Sequence, residues 1–261
     1  MNGLPFAKKS LGQHWLTDQA SLQAMCLAAG IAPNDTVLEI GPGIGTLTEL
    51  LVQRVASVVA VELDSELALK LPERVSSPNL QVVQKNILDL DLNTLPRGYK
   101  VVANIPFYLT SNLIRKLSES DNQPIQVALL VQKELAKRVA AKAGDTSLLS
   151  ISTQFYWEVS LGRVVPAILF EPVPKVDSQI LVLKFRPKPL FPSVDHKMFF
   201  QIVKAGFAGR RKKLLNSLSS GLRLNKATVS QLMVAAKLDP SLRAQNLALE
   251  DWYRLYKTVL K

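Results

Sequence analysis

The chain has 261 residues, 48% of them hydrophobic, and its 32 Lys and Arg against 21 Asp and Glu give a formal net charge of +11. This composition excludes a disordered or collagen-like polymer, because it supplies enough apolar material for a packed core. The single cysteine, Cys26, excludes a disulfide framework and a cysteine-based zinc site, and favours a reducing compartment. Because neither a membrane-length apolar stretch nor a secretory signal is visible, we expect a soluble, cytoplasmic protein. His14 is one of only two histidines, and no Cys, Asp or Glu cluster stands at ligand spacing, so we expect no bound metal.

The excess positive charge lies in the last third of the chain. Residues 1–185 contain 17 Lys and Arg and 17 Asp and Glu, whereas residues 186–261 contain 15 and 4. The segment Arg186–Pro192, with three prolines in seven residues, predicts a linker. We therefore expect a domain at 1–185 and a basic domain at 186–261 that meets a polyanion. A merely solvated basic appendage is the alternative, and a membrane surface is disfavoured because no basic amphipathic helix with an aromatic face stands out.

The order of apolar runs predicts an α/β domain followed by an all-α one. Short β-branched runs alternate with helical patterns, as in a doubly wound, Rossmann-like sheet covered on both faces. The strands are expected at 36–40, 57–61, 80–83, 100–103 and 126–131, with helices at 46–54, 65–75 and 110–118. Two more strands are expected at 152–159 and 179–185, and then helices at 194–206, 210–219, 226–238 and 249–260.

A glycine-rich loop, Glu39–Thr46, ends the first strand and opens a helix. Glycines such as Gly41 and Gly43 allow a tight turn and let a ligand press against the main chain. The G-x-G-x-G spacing is that of neither a dinucleotide loop nor a P-loop. Glu62, at the end of the second strand, can accept both hydroxyls of a ribose, and an acidic Glu39 suits a cationic ligand better than a pyrophosphate. The combination predicts S-adenosylmethionine as the cofactor.

The segment Asn104-Ile105-Pro106-Phe107 follows the fourth of these strands. Methyl transfer to an exocyclic amine requires the nitrogen lone pair to be aimed at the methyl carbon. The Asn104 side chain and the Ile105 carbonyl would accept the two amine hydrogens, and Phe107 would stack on the base. Pro106 fixes the turn and has no N–H to compete. These four residues are the predicted catalytic loop.

Seven motifs, which begin with a Gly12–Leu16 segment, occur in the order known from one family. The others are Glu39–Thr46, Glu62–Asp64, Asn104–Phe107, Gln132–Glu134 with Arg138, Phe170–Ser178 and Phe207–Lys213. Over residues 8–260 the chain resembles the ribosomal RNA adenine N6-dimethyltransferases, closest to the small-subunit KsgA/RsmA type. The resemblance implies an S-adenosylmethionine-dependent enzyme that dimethylates the N6 of two adjacent adenines in the 3′-terminal hairpin of 16S rRNA. It also implies a role in small-subunit biogenesis, with the small ribosomal subunit as partner of a monomer.

The resemblance also implies site residues. The cofactor positions of the family, together with the loop glycine Gly43, fall on His14, Leu16, Gly41, Gly43, Glu62, Asn86 and Asn104. Asn86 stands where the family usually has Asp. Having Asn there would lower cofactor affinity by about 1 kcal/mol if a charge-assisted bond is lost. The expected RNA contacts are Lys175, at the tip of a Pro-x-Pro turn, and the basic run Arg210, Arg211, Lys212 and Lys213.

Two other functions are compatible with parts of the pattern. One is a large-subunit enzyme of the Erm type that methylates 23S rRNA, which shares most of the N-terminal motifs. The run Arg210–Lys213 and the segment Arg243–Leu247 favour the small-subunit type. The other is a non-catalytic RNA-binding assembly factor on the same scaffold, which would need neither the glycine loop nor the Asn104–Phe107 loop.

Overall fold

The computed structural model describes residues 7–8, 11–209 and 211–260. The chain divides into two compact units. The first comprises Met1–Ala136 and Glu158–Phe185, and the second comprises Lys137–Trp157 and Arg186–Lys261. In the described part of the chain, no helix is both long and apolar enough to cross a membrane.

A seven-stranded sheet forms the centre of the first unit. In chain order, the strands of the structure are β1 (Trp15–Leu16), β2 (Thr36–Ile40), β3 (Ser57–Glu62), β4 (Leu80–Gln84), β5 (Lys100–Asn104), β6 (Gln126–Gln132), β7 (Trp157–Val165), β8 (Phe170–Glu171) and β9 (Ser178–Phe185). The large sheet has the order β4-β3-β2-β5-β6-β9-β7, while β1 and β8 form a separate antiparallel pair. The first five strands in that order run parallel, and β9 runs antiparallel to β6. The strand order reverses direction between β2 and β5, which is where ligands bind in doubly wound sheets.

Both faces of this sheet are covered, as the consecutive apolar residues predict. Leu130 of β6 lies in the core cluster formed with Leu22 and Leu51, and its neighbour Leu129 on the opposite face is equally buried. The helices of this part of the chain are α1 (Gln19–Ala28), α2 (Thr46–Val52), α3 (Ser65–Arg74), α4 (Thr110–Glu119) and α5 (Lys133–Val139). The five strands predicted from 36 to 131 are confirmed, with ends that differ by no more than one residue. The expected α/β class is confirmed with them.

The strand predicted at 152–159 is wrong for its first half. The structure has helix α6 (Leu148–Tyr156) there, and β7 begins only at Trp157. The helix starts with a capping box, because the Ser147 hydroxyl accepts from the Ser150 amide and the Ser150 hydroxyl accepts from the Ser147 amide. Two of the free N–H groups of a helix start are thereby satisfied, and the β-branched residues that suggested a strand become part of a helix.

The second unit is helical, and its boundary differs from the prediction. After α6 it contains α7 (His196–Phe207), α8 (Leu214–Leu222), α9 (Lys226–Ala235) and α10 (Leu249–Val259). In addition to residues 186–261, for which the sequence predicts a separate domain, this unit contains residues 137–157. The reason is packing: Ile151 and Phe155 of α6 share one buried core with residues of α7, α8, α9 and α10.

Candidate active site

The predicted cofactor and catalytic residues line a single cavity in the first unit. It opens at the carboxyl ends of β2, β3 and β5, next to the point where the strand order reverses. The predicted residues in its wall are His14, Leu16, Gly41, Gly43, Glu62, Asn86, Asn104, Ile105, Pro106 and Phe107. The parallel sheet brings Gly41, Glu62 and Asn104 together, and the segment that contains β1 adds His14 and Leu16, so that residues as far apart in sequence as His14 and Phe107, 93 positions, line one cavity.

The glycine loop has the conformation that its residues predicted. Gly41 and Gly43 have φ angles of +66° and +58°, a region that residues with a Cβ rarely adopt. A Cβ on Gly43 would also lie 2.8 Å from Cζ3 of Trp15, so the bare backbone lets the indole ring cover the loop. The Thr46 hydroxyl donates to the Leu16 carbonyl at 2.8 Å, which ties β1 to the first turn of α2.

The Glu62 side chain does not simply face the cavity, because it is buried and both of its carboxylate oxygens bond to the backbone. Its Oε2 accepts from the Gly43 amide at 3.0 Å and its Oε1 from the Asp64 amide at 2.9 Å. The residue is 6% exposed. Burial raises the pKa of Glu62, and the two backbone bonds oppose that rise. Glu62 thus fixes the shape of the glycine loop in addition to lining the cavity.

Glu39, one strand away, is a buried carboxyl group without a full set of partners. Its Oε2 has no hydrogen-bond partner among the described residues. Burial, with a smaller contribution from the Glu62 charge, raises the pKa of Glu39 to about 8, against an opposing contribution from the Thr48 hydroxyl. Because the side chain lines the cavity, a cationic group bound there would favour its ionised form.

Asn86 begins the short turn Ile87–Asp89 that follows β4. Its Oδ1 accepts from the Leu88 amide at 3.0 Å and so caps that turn. The Lys116 ammonium of α4 donates to the Leu88 carbonyl at 3.0 Å and holds the turn from the other side. The side-chain oxygen of Asn86 is therefore already engaged in the fold, while the residue still lines the cavity.

The predicted catalytic loop, Asn104–Phe107, is held by hydrogen bonds from the residues that follow it. The Leu109 amide donates to the Pro106 carbonyl at 3.0 Å, and the Thr110 hydroxyl donates to the Phe107 carbonyl at 3.2 Å. The Asn104 amide group donates through Nδ2 to the His14 carbonyl at 3.5 Å. That contact turns the nitrogen of the amide toward His14 and leaves the oxygen available as an acceptor.

The segment that begins with β8 closes one side of the cavity, although no cavity residue was predicted in it. Leu16 pairs with Phe170 across β1 and β8, and Phe170 lines the cavity. His14 Nδ1 lies 2.6 Å from the Pro172 carbonyl, and the His14 and Phe107 ring centroids lie 6.2 Å apart at an interplanar angle of 23°. The Phe170–Ser178 motif was the signal that could have identified Phe170, because it pairs with the Gly12–Leu16 motif.

The expected RNA contacts lie outside this cavity. Lys175 is exposed in the loop after β8. Arg211, Lys212 and Lys213 are exposed and directly precede α8, which begins at Leu214 rather than at residue 210. Arg210 lies outside the described residues. Among the residues that the structure describes, no group of three or more His, Cys, Asp or Glu side chains could hold a metal ion.

Comparisons with known proteins agree with this geometry. A family model described as "Ribosomal RNA adenine dimethylase" matches residues 6–261. A protein of Dehalococcoides mccartyi named "Ribosomal RNA small subunit methyltransferase A" is 41% identical over 255 residues, which cover 95% of this chain and 87% of that protein. An Enterococcus faecalis protein of the same name is 38% identical over 267 residues, which cover 97% of this chain and 90% of that protein.

Solved structures share the fold over most of the chain. A dimethyladenosine transferase from Plasmodium falciparum superposes with a TM-score of 0.78 at 25% identity, covering 92% of this chain and 95% of that one. The 23S rRNA methyltransferase ErmE superposes with a TM-score of 0.76 at 28% identity, covering 95% of this chain and 100% of that one.

Proposed function

The chain belongs to the ribosomal RNA adenine dimethylase family, and from that premise we propose that the cavity between the glycine loop and Asn104–Phe107 is its active site. The protein is an S-adenosylmethionine-dependent enzyme that methylates adenine in ribosomal RNA. The observation that carries the assignment of the site is that the glycine loop, Glu62 and the Asn104–Phe107 loop line the same cavity.

The residues of the cavity fit S-adenosylmethionine, which supplies an activated methyl group on a positively charged sulfur. The positive φ angles of Gly41 and Gly43 bring bare backbone to the cavity wall. The Glu39 carboxyl group, which lacks one partner in the described part of the chain, suits a cationic ligand. We assign the cofactor-binding role to His14, Leu16, Gly41, Gly43, Glu62, Asn86 and Asn104.

The catalytic loop would position the adenine amine. The Asn104 oxygen and the Ile105 carbonyl are two acceptors for the two hydrogens of N6, and their geometry would orient the nitrogen lone pair. Phe107 offers a half-buried ring on which the base can stack. The target base must leave its RNA stack to reach such a cavity, as in other enzymes that act on a base. No side chain has to act as a nucleophile, because the methyl donor is already activated.

The small subunit is the better supported target. The curated relatives at 38% and 41% identity carry the name of a small-subunit methyltransferase, whereas the 23S enzyme shares 28%. We therefore propose that the two adjacent adenines of the 3′-terminal hairpin of 16S rRNA are dimethylated at N6 during small-subunit biogenesis. We further propose that the protein acts as a monomer in the cytoplasm, a reducing compartment in which the free thiol of the buried Cys26 is stable.

The test is methyl transfer from labelled S-adenosylmethionine to small subunits that lack the modification, with the modified bases mapped. We expect label only at the two adjacent adenines of the hairpin. Large subunits in the same assay serve as the control, since label in 23S rRNA would indicate the Erm-type alternative. Cofactor binding without transfer to either subunit would favour a non-catalytic assembly factor.

A further inference from the structure

Tyr108 is an exposed aromatic side chain at the edge of the proposed active site, and methyl transfer by the Asn104–Phe107 loop does not require it. It follows Phe107 directly, lines the same cavity and is 61% exposed. In the described ranges, every other Phe, Tyr or Trp side chain is buried or half-buried. Single exposed apolar side chains are common on protein surfaces, so the distinguishing feature of Tyr108 is its place in the wall of a cavity that receives a base.

The ring is supported on one edge. A Cβ built on Gly12 would lie 3.7 Å from Cε1 and 3.8 Å from Cδ1 of Tyr108, so the ring rests beside the bare backbone of Gly12. The next residue, Gln13, donates through Nε2 to Asp64 at 3.2 Å and anchors that backbone. The turn that carries Tyr108 is held by the bond from the Leu109 amide to the Pro106 carbonyl. The ring is thus fixed at its base and open to solvent elsewhere.

The position of the ring relative to the catalytic loop indicates what it binds. A base that enters the cavity beside Asn104 and stacks on Phe107 must leave the RNA stack, and the nucleotide next to it in the strand stays at the mouth. That neighbour is then without one of its stacking partners. An aromatic ring restores such a stack for any base, because every base has a π-face.

We propose that Tyr108 is a second base-stacking position, at the mouth of the cavity, for the nucleotide next to the adenine that is being methylated. This inference rests on the proposed function of the cavity. Because the RNA strand has a direction, a fixed ring meets the neighbour on one side only, so the other adenine of the pair reaches Tyr108 when one particular adenine of the two occupies the cavity. The ring would therefore keep the second adenine close during and after modification of the first.

The first experiment compares three variants on small subunits that lack the modification. Tyr108→Ala should lower kcat/KM for methyl transfer by about 5- to 100-fold, the loss expected for one base–aromatic stack. Tyr108→Phe should stay within about twofold of the parent, because stacking needs the ring and not the hydroxyl. Leu69→Ala is the matched control, since Leu69 is 76% exposed on α3 and does not line the cavity. The dissociation constant for S-adenosylmethionine should be unchanged in all three.

The second experiment separates stacking from a change in the shape of the turn. Subunits are reconstituted with two different ligated hairpins, each with one of the two adenines replaced by an abasic site, and methylation of the remaining adenine is measured in each. On the hairpin that lacks the base expected to reach Tyr108, the parent should lose activity, and Tyr108→Ala should cause no further loss.

Three outcomes decide the matter. An equal loss in Tyr108→Ala on the intact hairpin and on both abasic hairpins would overturn the proposal, as would a parental rate of Tyr108→Ala on the intact hairpin. If the parent protein methylates no adenine in either subunit, the proposed function fails instead, so the two failures can be told apart.

Discussion

Two buried carboxyl groups at the ends of adjacent strands have different surroundings. Both oxygens of Glu62 accept backbone N–H groups, from Gly43 and Asp64. Glu39 is 1% exposed, and its Oε2 has no partner in the described part of the chain. Glu62 therefore holds the loop, whereas Glu39 presents a carboxyl group whose ionised form a cationic ligand in the cavity would favour.

The raised pKa of Glu39 makes the stability of the free protein pH-dependent. Its pKa of about 8 in the folded state exceeds the ordinary value of 4.5, so the folded state binds one more proton between these pH values. The contribution of Glu39 to stability is therefore expected to fall as pH rises from about 5 to 8, by up to about 1.4 kcal/mol per pH unit. Glu39→Gln should remove that slope in denaturant titrations without cofactor. An unchanged slope in the variant would show that Glu39 is already ionised at neutral pH.

Replacing Glu62 should affect both binding and folding. Glu62→Ala removes the proposed ribose acceptor and leaves the Gly43 and Asp64 amides without their partner. We expect cofactor binding to weaken by about 1–3 kcal/mol, and the free energy of unfolding to fall by a similar amount. Calorimetric titration measures the first quantity and denaturant unfolding the second. Parental cofactor affinity in a folded variant would contradict the assignment.

Asn104 should matter for turnover more than for binding of the donor. Its proposed bond to the adenine amine contributes most in the transition state, whereas the donor is held mainly by the glycine loop and Glu62. Asn104→Ala should therefore reduce kcat by about 10²-fold or more, with a much smaller change in the dissociation constant of S-adenosylmethionine. Single-turnover kinetics with saturating subunits measure the difference. Methylation at the parental rate would remove Asn104 from the catalytic role.

Most of this site could be predicted from the sequence, because its glycine loop, acidic residue and catalytic loop each follow a recognisable strand. Contacts between distant segments could not be predicted in the same way. The bond from His14 to the Pro172 carbonyl and the place of Phe170 depend on the pairing of β1 with β8, two strands of two residues each. Strands that short carry no periodicity in the sequence.

At the scale of elements, the parallel strands were predictable and α6 was not. Runs such as Val127–Val131 are apolar at every position because both faces of the sheet are buried. The segment Leu148–Tyr156 contains Ile151 and Thr153, which favour strands, and its helix depends on the cap at Ser147 and on packing against α7. The pair Ser147 and Ser150 was a readable signal, although Glu or Gln is the usual third residue after the cap.

Removing the cap tests how much of α6 it stabilises. Ser147→Ala deletes the hydroxyl that accepts from the Ser150 amide at 3.2 Å, and should lower the free energy of unfolding by about 0.5–2 kcal/mol. Ser152→Ala is the matched control within the same helix, because its hydroxyl bonds only to the Leu149 carbonyl one turn back. Thermal unfolding followed by circular dichroism compares the two. Equal melting temperatures would mean that tertiary packing alone determines the helix.

At the scale of the whole molecule, the two units differ more in net charge than do the two domains predicted from the sequence. With residues 137–157 included, the second unit has 18 Lys and Arg against 5 Asp and Glu, a net charge of +13. The first unit has 14 against 16, a net charge of −2. The proposed active-site cavity thus belongs to a nearly neutral unit, whereas the helical unit carries the positive charge that would attract a polyanion.

The basic residues before α8 are the best candidates for phosphate contacts in that unit. Arg211, Lys212 and Lys213 are exposed, and within the described part of the chain none forms an ion pair. They precede the amino end of α8, where each cation opposes the helix dipole by up to about 1 kcal/mol. By contrast, the exposed Lys8 of the first unit pairs with Asp64 at 2.8 Å. A bound phosphate would offset the repulsion before α8.

Replacing Arg211, Lys212 and Lys213 together by Ala should therefore weaken binding to small subunits and flatten its dependence on salt. The log–log slope should fall by about 0.7 to 0.9 for each phosphate that the variant no longer neutralises. The matched control replaces Lys197, Lys204 and Lys226, which are exposed and scattered over α7 and α9, and so removes the same charge without touching the cluster. Cofactor affinity should be parental in both variants, because the cavity is lined by residues of the first unit alone. If both variants change the slope equally, net charge rather than this cluster attracts the RNA, and Lys175 becomes the next residue to test.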